Sequence, residues 1–189
     1  FGQPLSSTPS NFGLLGAEPT HPALLDDLAT RFMAAGWSTE WLVREIVNSA
    51  TYRQSATAPD AMRDADPENR WLTRMNRKRV TVEMWRDAML QVAGALEPTG
   101  GPSLELNDPN NFKRTVYARV SRLSLNPMLM QFDYPDANVH QAERAATITP
   151  TQKLYTLNDP FVLKQAKAFA ERLRQSASQV SGLIDNAYR

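Results

Sequence analysis

The chain has 189 residues, with 21 Lys plus Arg against 20 Asp plus Glu, 42% hydrophobic and 22% charged residues, and no cysteine. That is ordinary globular usage with enough chain to bury a core. The even charge balance argues against a nucleic-acid binder, and the missing thiols exclude disulfides, thiolate metal sites and covalent c-type haem attachment within these residues.

Residues 1–20 are rich in Ser, Thr, Pro and Gly and read as a loop-like lead-in. Leu24, Leu25, Leu28, Ala29, Phe32 and Ala35 then mark a helix. Thr20 or His21 sits near its cap, Pro22 in its first turn, and Gly36 at its stop. Ser38 is a good N-cap for a second helix, with Glu40 favoured by the dipole and Leu42, Val43, Ile46, Val47 and Ala50 as its inner stripe. It is predicted to end near Gln54, before a polar surface connection over residues 55–65. Asp66-Pro67-Glu68 carries the cues of a third start. A long helical region is predicted from there to about Leu96, with Met84, Trp85, Ala88, Met89, Val92, Ala93 and Leu96 in phase. Pro98, Gly100 and Gly101 would end it.

Residues 102–125 have a different pattern. The run from Asn107 to Asn111 is a turn cluster, flanked by stretches at 103–106 and 115–120 in which apolar and polar residues alternate. This predicts a β-hairpin. Asn126-Pro127 opens a short helix to about Phe132, and residues 133–147 form a polar loop. Thr149-Pro150 caps another helix, which Asn158-Asp159-Pro160 interrupts. Asp159 caps the next, with Val162, Ala166, Phe169, Ala170 and Leu173 inward. The stretch from Ser178 to Arg189 carries a last stripe of Val180, Leu183, Ile184, Ala187 and Tyr188 with no stop signal, and the start is apolar from Phe1. Both ends are therefore expected to be cuts in a longer chain. The expected fold is mainly α: a single multi-helix domain over residues 1–189, with a small β-hairpin inserted at about residues 102–121. No run reaches the ~18 apolar residues of a membrane span.

Two segments concentrate groups with ligand chemistry. The loop holding Asp133, Asp136, Asn138 and His140 offers the oxygens and the imidazole of a metal site, calcium above all, though it lacks the EF-hand spacing. The competing interpretation is an ordered turn with Asx capping, in which Arg144 pairs with Asp133 or Asp136. The dense basic run is Arg70, Arg74, Arg77, Lys78 and Arg79, a candidate anion-binding face. Flanking Asp66, Glu68, Glu83 and Asp87 would instead absorb it in helical ion pairs. His21 and His140 alone are too few for zinc. A His with one of seven Met could ligate a non-covalent haem, but Met at helical spacing is ordinarily core filling. Gly-x-Ser-x-Gly, His-Glu-x-x-His, Walker and Gly-x-Gly-x-x-Gly motifs are absent from the sequence. Trp37, Trp41, Trp71 and Trp85 could line a sugar platform, yet all lie in or beside helical segments, where packing is the default.

The order of several blocks is distinctive. They are Thr8-Pro9-Ser10-Asn11-Phe12-Gly13, then His21-Pro22 through Asp26, Gly36-Trp37-Ser38, Ile46 through Ser49, and Tyr52 through Ser55. Asp66 through Arg70, Met75-Asn76-Arg77 and Arg86-Asp87 follow, then Pro127-Met128, Phe132-Asp133, Pro135-Asp136, Thr149 through Gln152 and Leu157 through Phe161. In this the chain resembles the planctomycete domain of unknown function 1553 family. That domain lies C-terminal in large proteins that often also carry a c-type cytochrome domain. The resemblance covers nearly the whole chain and implies an extracytoplasmic, multidomain parent of the periplasm or cell envelope, encoded near sulfatases. It implies haem c elsewhere in the parent and no cofactor in this segment. Relatives often have a cysteine before the position of Arg144, where this chain reads His140-Gln141-Ala142-Glu143. The resemblance supplies no catalytic residue.

Two readings of function follow. The first is a non-catalytic helical scaffold or interaction domain whose partners are other domains of the same parent. The alternative is an enzyme or substrate-binding domain acting on acidic, sulfated polysaccharide or in an associated redox step. Neither involves nucleic acid or a membrane span in this segment, and whether the chain is an enzyme stays open at this point.

Overall fold

A computed structural model describes residues 1–176 and 179–188. Its contacts divide into two compact units, Phe1–Arg79 and Val80–Arg189. Among the described residues there are eight α-helices: α1 (Pro22–Ala34), α2 (Thr39–Asn48), α3 (Asp60–Ala65), α4 (Val82–Ala93), α5 (Pro127–Gln131), α6 (Pro150–Asn158), α7 (Pro160–Ser176) and α8 (Val180–Ala187). The chain is thus mainly helical.

In the first unit, α1 and α2 form a helical hairpin. Pro22 opens α1, where its missing N–H costs nothing. Gly36 and Trp37 then turn the chain through the left-handed region at φ 69° and 61°. The Ser38 hydroxyl accepts from the Trp41 N–H at 3.2 Å and starts α2. Arg31 ties α1 to α2 by donating to Glu45 with its guanidinium over the Trp41 ring, and it also donates to Asp27 one turn back on α1. No residue of either helix is fully buried.

The predicted long helix from Asp66 to Leu96 does not form. Residues 60–65, read as connection, are helical, and α4 begins only at Val82. Asp66 does cap backbone, but it accepts from the N–H groups of Arg70 and Trp71, too far along for a helical first turn. Asn69 and Leu72 take left-handed backbone at φ 53° and 52°, which halts propagation.

In the second unit the core is Val82, Leu106, Met128 and Leu129, with Leu125, Phe132, Tyr134 and Tyr155 packed against it. The Phe132 ring bridges Trp85 and Tyr155 at centroid distances of 4.8 and 5.4 Å. Helix α4 packs against α7, and α8 against α7. Gly94, at φ 75°, ends α4 four residues before Pro98, the first stop signal in the sequence. At the α6 start a capping box joins Thr149 and Gln152, and the Asp159 carboxylate accepts from Phe161 N–H at 3.0 Å to start α7. Of the last stripe, Val180, Leu183, Ile184 and Ala187 fall on α8 and Tyr188 caps its end, while Ser178 and Arg189, the ends of that stretch, lie outside the described residues.

The predicted hairpin is also not seen, and no strand occurs among the described residues. Residues 102–121 run as loop, with a 3₁₀ turn at Thr115–Tyr117 and an isolated parallel bridge between Glu97 and Lys113. The Arg119 N–H reaches the Leu104 carbonyl at 2.8 Å, but the pairing goes no further, because Thr115–Tyr117 turn as a 3₁₀ helix and side chains hold the neighbouring backbone. Asn111 donates to the carbonyl of Glu105, and Arg86 donates to those of Asn111 and Lys113.

Candidate functional site

The basic run lies in the first unit and follows a tight polar knot rather than a helix face. Its centre is Asn69, 2% exposed. The Asn69 amide nitrogen donates to the Arg74 carbonyl at 2.7 Å and to Asn76 Oδ1 at 2.8 Å. Arg74 turns back on the knot, donating to the carbonyls of Asp66 and Pro67 at 3.0 and 2.9 Å. Lys78 lies over the Tyr52 ring, 5.8 Å from its centroid. Arg70, Arg77, Lys78 and Arg79 are exposed. The five cations therefore divide: Arg74 braces the knot and the others border it. Trp71 stands out at 66% exposure, its edge against His21.

The polar loop lies in the second unit, and its carboxylates point at backbone. Asp133, at φ 59°, accepts from the Thr147 N–H and hydroxyl, both at 2.8 Å, which closes the loop on itself. Asp136 accepts from the Asn138 backbone N–H at 2.8 Å and from its side-chain amide at 3.1 Å. That amide also reaches the Arg122 carbonyl at 3.0 Å. His140 is exposed. Among the described residues no three His, Asp or Glu side chains gather as a metal-binding group.

Arg144 pairs with a carboxylate outside the loop. It donates both terminal nitrogens to the two Glu83 oxygens at 2.8 Å each and lies over the Tyr134 ring. This bidentate clamp joins the loop to the first turn of α4 across 61 positions of sequence. Burial works against ionisation of Glu83, but the Arg144 guanidinium, the Glu83 N–H and the Thr81 hydroxyl outweigh it and hold the carboxyl below its ordinary value.

A third centre was hidden from composition and spacing. Arg86 is 1% exposed. It donates to the carbonyls of Asn111 and Lys113 at 2.6 and 2.9 Å and to the Thr115 hydroxyl at 3.3 Å, and it lies over the Phe161 ring. Its Nε–H has no partner. Burial lowers its pKa, and the Asp87 charge opposes that. Asp87 accepts from the Thr115 N–H and hydroxyl at 2.7 Å each and from Arg114 at 3.3 Å. The detectable signal was register: Val82, Arg86 and Leu90, the buried residues of α4, are four apart, so an arginine occupies the inner stripe. The predicted stripe is rotated, and its Met84 and Val92 are exposed.

The family described as "PSD1: Protein of unknown function (DUF1553)" matches residues 1–189. The chain belongs to this family. No curated protein and no solved structure matches it. In this DUF1553 chain the motif blocks fall largely at brace points: Asp66 through Arg70 in the knot, Arg86-Asp87 at the buried cation, Asp133 at the loop closure and Thr149 through Gln152 at the capping box. Chemically these centres offer donors and acceptors already committed to backbone. Along α7 an open groove of about 540 Å³ is lined by Leu163, Lys164, Lys167 and Glu171, with Lys164 over the Phe112 ring.

Proposed function

We propose that this DUF1553 chain is a non-catalytic helical scaffold or interaction domain of a larger exported, cytochrome-c-associated protein of planctomycete type, located in the periplasm or cell envelope. The observation that carries the reading is the disposition of charge. Arg74, Arg86, Asp87, Asp133 and Arg144 are spent on holding loops in place, while large apolar side chains stand out on the helices. Val43 on α2, Leu154 and Leu157 on α6, and Val180 and Ile184 on α8 are each more than half exposed. Leu154 and Leu157 are three apart on α6 and Val180 and Ile184 four apart on α8, so each pair shares a helix face, and exposed apolar faces are suited to protein contact. Its partners would be other domains of the same parent, and haem c would belong to one of those, since this chain has no thiol to attach it.

The alternative, action on sulfated polysaccharide, draws on one feature: Arg70 and Trp71 are exposed side by side at the polar knot, a pairing able to meet a sulfate and a sugar ring. Incubating the purified chain with heparin and with fucoidan, and assaying new reducing ends and bound polymer, separates the two. The scaffold reading expects neither cleavage nor retention at physiological salt. Cleavage lost in Arg70→Ala would replace it with the alternative.

A further inference from the structure

We propose that the groove along α7 binds a linear peptide segment of a partner protein, one that carries Asp or Glu beside large apolar residues. The proposal rests on the reading of the chain as an interaction domain and names the chemistry of one partner.

The site is built outward from the buried cation of the second unit. Arg86, 1% exposed, donates to the carbonyls of Asn111 and Lys113, which flank Phe112. The Phe112 carbonyl in turn accepts from the Glu97 N–H at 2.8 Å. Three successive residues are thus held by their backbone, and the Phe112 ring has a fixed base. The Lys164 ammonium lies over that ring, 5.3 Å from its centroid. The Arg86 guanidinium also lies over the ring of Phe161, in the first turn of α7. One buried arginine therefore sets both the helix that carries the groove and the ring that orients one of its lysines.

The groove combines apolar surface with charge that the fold leaves unspent. Pro160, Leu163 and Ala168 line it beside Lys164, Lys167 and Glu171. Among the described residues neither lysine pairs with a carboxylate. Two ammonium groups three positions apart on one face call for carboxylates, and Leu163 beside them calls for an apolar neighbour. The order of signs selects among anions. Glu171 lies about one turn beyond Lys167, where it repels a uniformly charged polyanion and sets a charge against the tail of a fatty acid. A peptide satisfies both signs, with side-chain carboxylates at the lysines and backbone N–H groups toward Glu171. From Pro160 to Glu171 the helix runs about 16 Å, the span of about five extended residues. The groove volume of about 540 Å³ suits a segment of that size.

The test selects a random heptapeptide library, displayed on phage, against the folded chain. The expected winners carry Asp or Glu beside Leu, Ile or Phe, and a synthetic copy of the leading sequence shifts the backbone amide signals of residues 160–171 in NMR spectra. Lys167→Ala, at a side chain with no bond in the fold, keeps the melting temperature and weakens that peptide about threefold or more. The charge-reversed Lys164→Glu/Lys167→Glu variant weakens it about 30-fold or more. Five results overturn the proposal: no sequence class is enriched; the winners lack Asp and Glu; their signals move on another face; Lys167→Ala binds as tightly as the native chain; or decanoate shifts the same amides at lower concentration than the peptide, which would make the groove a small-molecule site. Failure here is separable from failure of the interaction reading. If the native chain and the charge-reversed variant bind a cytochrome domain of the proposed parent equally well, the groove alone is lost; if neither binds it, the interaction reading fails.

Discussion

Replacing Arg86 with Met keeps most of the side-chain volume and removes every donor. Two carbonyls, those of Asn111 and Lys113, then lose charged partners in a site that admits almost no water. Each unpaired buried acceptor costs about 1–3 kcal/mol, and the lost stacking on Phe161 adds about 1 kcal/mol. Relief from burying a guanidinium offsets part of this, leaving a net loss of about 3–5 kcal/mol. At an m-value of about 2 kcal/mol/M that lowers the urea midpoint by about 2 M. Hydrogen exchange locates the effect: the amides of Glu97, Thr115 and Arg119, bonded within the loop or to Asp87, lose protection first. A loss under about 1 kcal/mol, or equal deprotection of α1 and α2, would refute the assignment of Arg86 as the organiser of residues 97–120.

Three more outcomes follow. Arg144→Ala removes the clamp on Glu83; because Arg144 is well exposed, the loss at neutral pH is about 0.5–1 kcal/mol and shrinks in high salt, as thermal melts would show. Glu83 has a lowered folded pKa, so its contribution is present above the ordinary carboxylate pKa and disappears as pH falls through the folded value. Native and Arg144→Ala chains should therefore converge in stability in acid, and a constant gap across an acid titration would count against the clamp. Gly94→Ala should cost about 1 kcal/mol through left-handed strain alone, since the added Cβ meets Arg172 at an ordinary 3.7 Å; a neutral melt would contradict the C-cap. Asp66→Ala strips the acceptor from the Arg70 and Trp71 N–H groups, so about 1–3 kcal/mol is lost and Trp71 emission changes, whereas unaltered emission would mean the knot does not position that ring.

Local chemistry was legible where it acts over three or four residues. Ser38, Asn126, Thr149 and Asp159 could be read as caps because a short polar side chain before an apolar stripe has one economical use. Asp66 carried the same cue, yet its carboxylate reaches the fourth and fifth N–H groups ahead, and Asn69 and Leu72 leave helical backbone. Nothing in the sequence pattern distinguishes those geometries. The hairpin failed for local and non-local reasons: Asn111 takes the Glu105 carbonyl, Thr115–Tyr117 turn as a 3₁₀ helix, and Arg86 pins the carbonyls of Asn111 and Lys113 in the connection from 25 and 27 residues away. Arg144 likewise had nearby carboxylates to choose from and took Glu83 across 61 positions. Of the candidate sites, the sequence located the residues but not their partners, which decide whether a carboxylate is a ligand or a brace.

The most direct test of the interaction reading is size-exclusion chromatography of the chain mixed with a separately produced c-type cytochrome domain of the proposed parent, run at physiological and at 1 M salt. Association through apolar surface predicts co-elution at both, since salt screens charge and leaves hydrophobic contact intact. Separate elution at both salts would contradict it.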